Sequence, residues 1–84
     1  MKIYKYHINS GMNKILSYRG AKVLSAGLDP AGVLSIWVLV DINEQEAGLN
    51  VSCVGTGWDA PKNSRFVGTV QQDIYMWHVF QWEG

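Results

Sequence analysis

One cysteine, two prolines and no excess charge of either sign limit what 84 residues can be. The single thiol, Cys53, excludes an internal disulfide framework and a cysteine zinc cluster, and it suits a reducing cytosol. Seven basic residues balance seven acidic ones, so the broad positive field that holds duplex DNA or an anionic membrane is missing. Neither is an expected partner. No apolar run approaches the ~18 residues of a membrane helix, and Met1-Lys2-Ile3-Tyr4 lacks the apolar core of a secretory signal. These absences predict a soluble, cytoplasmic protein. His7 and His78 are the only histidines. They form neither metal-ligand spacing nor a nucleophile, histidine and carboxylate set, so no metal, cofactor or catalytic residue is expected.

What the chain has in quantity is aromatic surface: Trp37, Trp58, Trp77 and Trp82, four tyrosines and two phenylalanines. A domain of this size buries only ~60% of its unfolded surface, and large aromatic side chains supply what a small core lacks. The length gives one domain, residues 1–84. Short β-like runs alternate with turn signals throughout, which predicts an all-β fold, a small antiparallel meander closing into a barrel or sandwich of six to seven strands. The runs are Lys2 to Ile8, Lys14 to Tyr18, Ala21 to Leu28, Val33 to Val40, Leu49 to Val54, Arg65 to Val70 and Ile74 to Trp82. Asp29-Pro30-Ala31-Gly32 has the composition of a type I turn and predicts a hairpin. Val33 to Val40 and Ile74 to Trp82 are apolar on both faces. Covering both within one small sheet is difficult: either the sheet closes into a barrel or sandwich or one face meets another copy of the chain, and a homo-oligomer is the favoured expectation.

The stretch VGTGWDAP, residues 54–61, is the candidate site. Its spacing matches G-x-G-x-x-A, but Pro61 and a β-run follow where a dinucleotide-binding βαβ unit opens a helix, which excludes that unit. Two interpretations remain. Gly55, Thr56 and Gly57 can expose backbone N–H groups to a phosphate, Lys62 and Arg65 can neutralise it, and Trp58 can stack on a base. Arg19 beside Gly20 is a further phosphate partner. Alternatively, the glycines serve a strand-end bulge and Trp58 covers the core edge. His78 reads as a packed histidine with one nitrogen satisfied, and Cys53 as a buried strand residue.

Six blocks in order, Ile3 to Tyr6, Gly20 to Ser25, Ile36 to Asp41, Val54 to Gly57, Val67 to Gln71 and Trp77 to Phe80, together resemble a family of short phage and prophage proteins of unknown function. His7 departs from it, standing where the family pattern has proline. The resemblance implies a protein made in an infected bacterial host, in a class of accessory factors that blunt host defence. Together with the candidate loop it leads to a non-enzymatic counter-defence protein that sequesters a nucleotide-type immune signal as a homo-oligomer. The alternative is an inhibitor that covers a host protein with its aromatic surface, and a third option is a structural virion component.

Overall fold

Alternating side chains and turn residues divide the chain into seven strands and no helix, in a computed structural model that describes residues 1–83. They are β1 (Lys2–His7), β2 (Gly11–Tyr18), β3 (Lys22–Leu28), β4 (Leu34–Val40), β5 (Glu46–Gly55), β6 (Ser64–Gln72) and β7 (Tyr75–Trp82). All pairings are antiparallel. One sheet has the order β1-β4-β3 and the other β2-β5-β7-β6, so the fold is an all-β sandwich rather than a closed barrel. No helix among the described residues is long and apolar enough to cross a membrane.

The core fills the space between the sheets with the inward residues of the central strands. Ile36, Val38 and Val40 of β4 meet Val51 and Cys53 of β5 and Val79 of β7, all fully buried. Alternation is thus respected even in β4, whose outward Trp37 and Leu39 are half-buried beside β1 and β3.

The predicted hairpin joins β3 to β4. Gly32 N–H donates to the Asp29 carbonyl at 2.8 Å, and Gly32 has a φ of 79°. The Asp29 carboxylate accepts the Ala31 and Val33 N–H groups on one oxygen, and Lys5 Nζ at 2.9 Å and His7 Nε2 at 3.1 Å on the other. The Lys5 ammonium, with Val33 N–H, His7 and Ala31 N–H behind it, holds this carboxyl well below the usual carboxylate range.

Several strands run beyond the residues that pattern alone picks out. β2 starts at Gly11, β5 at Glu46, and β6 continues through Gln72, leaving Asp73 and Ile74 as the tip of the β6–β7 hairpin. Only β3–β4 and β6–β7 join sequential neighbours within a sheet. β5 and β6 both run antiparallel to β7 and lie on either side of it. Residues 56–63 are therefore a crossover. Asp59, Ala60 and Pro61 lie over the outer face beside Met12, Ser52 and Val54, which leaves Ser52 only 3% exposed although it points away from the core.

Side chains close the seam where β3 meets β6. Gln81 of β7 accepts Val23 N–H at 2.9 Å and donates to the Ala21 carbonyl at 3.0 Å. Arg65 of β6 donates to the Val23 carbonyl at 2.6 Å and to Gln81 Oε1 at 2.9 Å. At Ala21 and Val23 the free backbone edge beside β6 is satisfied by side chains, without a strand paired against it.

Candidate functional site

The candidate stretch begins where β5 ends. Trp58 N–H donates to the Gly55 carbonyl at 3.0 Å, and Gly57 takes a φ of 92° that favours glycine. The turn folds the Trp58 indole back onto Gly55, where a Cβ would stand 3.1 Å from the indole Cε2. Trp58 then meets Trp77 of β7 edge-on, with centroids 5.7 Å apart and planes at 74°. Trp77 is nearly buried and donates its Nε1–H to Gln72 Oε1 at 3.0 Å. Tyr75 stacks on it at 5.4 Å with an interplanar angle of 18°.

These rings, with Gly55, Thr56, Ile74 and Met76, bound an open cleft of about 270 Å³. Trp58 and Tyr75 are each 55% exposed. No charged side chain lines the cleft. Its chemistry is that of aromatic faces and apolar edges, suited to a planar ring or an apolar side chain.

Thr56 faces the sheet. Its hydroxyl lies 2.8 Å from His78 Nε2, and the Thr69 hydroxyl lies 3.1 Å from His78 Nδ1. One imidazole nitrogen donates, the other accepts, and either hydroxyl suits either role. Both nitrogens of His78 are therefore engaged, one more than the sequence led us to expect. The histidine ties the start of the crossover to β6 and β7.

The three cations expected around a phosphate do not gather at this cleft. Arg65 pairs opposite Gln81, four residues along β7 from Trp77, or about 13 Å at strand rise, and its guanidinium is used in the β3 seam. Arg19 lines a separate cavity of about 200 Å³ near Leu49 and Trp82. Gly55 lies six residues further along β5, about 20 Å away. Lys62 is exposed at the far end of the crossover, next to Asn63 with its φ of 54°.

The structure adds Ile74, Tyr75, Met76 and Trp77 to the glycine stretch. The signal for them was present, since the last run is apolar on both faces, and a short hairpin tip leaves its first residues outside the core. Cys53 points into the core, and burial pushes its thiol up to about 11. It is no nucleophile at neutral pH. Among the described residues, no three His, Cys, Asp or Glu side chains are grouped to hold a metal ion.

A family described as a domain of unknown function, DUF7352, matches residues 1–84. No curated protein and no solved structure matches the chain.

Proposed function

We propose, from the premise that this chain belongs to the DUF7352 family along its whole length, that it is a non-enzymatic binding module which grips a protein partner at the Trp58–Tyr75 cleft. The observation that carries this is the pair of half-exposed aromatic rings braced on a buried tryptophan in a cleft without charge. Rigid, packed aromatic groups of this kind supply binding energy at small entropic cost. The partner is expected to insert an apolar or aromatic side chain. Its setting follows the resemblance to phage proteins, a counter-defence protein covering a host factor in an infected bacterial cytoplasm.

Sequestration of a nucleotide-type signal is the second proposal, and the Tyr75–Trp77 stack favours it as a platform for a base. Because Lys62, Arg65 and Arg19 do not line the cleft, cationic phosphate contacts then have to come from a second protomer.

Native mass spectrometry of protein purified gently from bacteria with active nucleotide-signalling defences separates the two. Retention of a host polypeptide that Trp58→Ala abolishes is the expected result. A nucleotide-sized adduct on an oligomer would replace protein binding with sequestration. Bare protein that leaves the same defences uninhibited in cells would remove both.

A further inference from the structure

A sandwich of two open sheets has four edge strands, and this molecule treats them differently. β3 and β6 face each other across the seam held by Arg65 and Gln81. β1 and β2 each pair on one side only, with β4 and β5 respectively.

Single backbone bonds beyond the strands reveal which groups point outward. Arg19 N–H donates to the Gln45 carbonyl at 2.8 Å, continuing the β2–β5 register in which Ser17 faces Ala47. Bonded positions alternate in an antiparallel pair. Gly11, Asn13, Ile15 and Ser17 therefore bond β5, whereas Met12, Lys14 and Leu16 turn their N–H and C=O groups away from it. The Tyr18 carbonyl, next in the outward set, is taken by Ala21 N–H at 3.0 Å, as this phase requires. On β1, Ile8 N–H donates to the Leu34 carbonyl at 3.0 Å. By the same alternation Ile3, Lys5 and His7 point outward there. Two of those three side chains are polar and bound to Asp29, a protected edge. On β2, two of three are apolar: Met12 is 72% and Leu16 70% exposed.

We propose that the β2 edge pairs with the β2 edge of a second copy, antiparallel about a two-fold axis at Lys14, joining two four-stranded sheets into one of eight. In this register Met12 faces Leu16 of the second copy, Leu16 faces its Met12, and Lys14 faces its Lys14. Each is a bonded position, so all outward N–H and C=O groups of Met12, Lys14 and Leu16 on both chains find partners. The apolar side chains of each edge cover those of the other. The opposed lysines repel, but the Lys14 stem leans back over Gly48 of β5, with its Cε 3.6 Å from where a Cβ of Gly48 would be. A single strand edge buries less than the ~800 Å² per partner of a standard interface. The dimer is consequently weak, concentration-dependent and tighter in high salt, where the lysines are screened. It leaves the aromatic cleft of each copy free.

The experiment is the oligomeric state of the full chain. Sedimentation velocity from micromolar protein up to about 1 mM should show a monomer–dimer equilibrium that strengthens with salt. Leu16→Pro removes one outward N–H without touching a β5 bond, so it should give monomer with unchanged circular dichroism. Lys14→Cys reports the register: bonded antiparallel neighbours lie about 5.5 Å apart at Cα, within disulfide reach. It should therefore cross-link under mild oxidation far faster than Lys62→Cys on the crossover. A wild-type chain that stays monomeric throughout, together with equal cross-linking of the two cysteine variants, overturns the pairing and leaves this edge to solvent or to a strand of another protein. A dimer that tolerates Leu16→Pro and cross-links no faster through Lys14→Cys overturns it as well, because the contact then lies on another surface.

Discussion

Gly55 shows how much of the site depends on a missing side chain. A Cβ on Gly55 would stand 3.1 Å from the Trp58 indole, so Gly55→Ala makes this half-exposed ring give by a few tenths of an ångström where it meets Trp77. The expected result is a red-shifted tryptophan emission, as the Trp58 ring tilts toward solvent, with little change in melting temperature. Cys53 offers the opposite case, a reactive atom made inert by its position. Its thiol is fully buried and pushed up to about 11. A thiol reagent at neutral pH should therefore label the native protein only at the rate of unfolding, and within seconds once denaturant is added.

Among the elements, the β3–β4 hairpin and the β3–β6 seam each hang on one or two polar side chains. Asp29 holds the hairpin through Ala31 and Val33 N–H and holds β1 through Lys5 and His7. Its folded pKa lies below the unfolded value of ~3.9. The ionised form therefore contributes stability above that value, and the contribution fades as pH falls through and below it. Thermal melts of wild type and Asp29→Asn should differ most at neutral pH and converge on acidification. In the seam, Arg65→Ala leaves the carbonyl of the buried Val23 without its donor. A loss of about 1–3 kcal/mol is expected, with faster hydrogen exchange at Val23. Were Arg65 instead a free phosphate ligand, the same change would leave stability untouched.

For the whole molecule, the proposed cleft and the proposed β2 pairing lie on two separate surfaces. Trp58→Ala and Tyr75→Ala should each weaken partner binding at least tenfold, read by calorimetry once the retained polypeptide is identified, while the melting temperature moves little because both rings are half exposed. The β2 edge should be unaffected by either change. Much of this architecture was legible in the residues themselves. Alternation in Leu49 to Cys53, the Asp-Pro-Ala-Gly turn and the doubly apolar Val33 to Val40 depend on neighbours a few positions apart, and local sterics and solvation determine them. Together they specify an all-β chain, its hairpin and the inward side of most strands. The rest is decided between distant segments. Nothing near Arg65 says that its guanidinium is needed at the carbonyl of Val23, and nothing near Gly57 says that the residues after it must cross to the far side of β7. Strand order determines both, and strand order comes from which apolar faces bury together most completely. The tertiary structure therefore placed Arg19, Lys62 and Arg65 apart and brought Tyr75 and Trp58 to the same Trp77. A local pattern specifies which face of a strand is buried, whereas only packing of the whole chain chooses what lies against it.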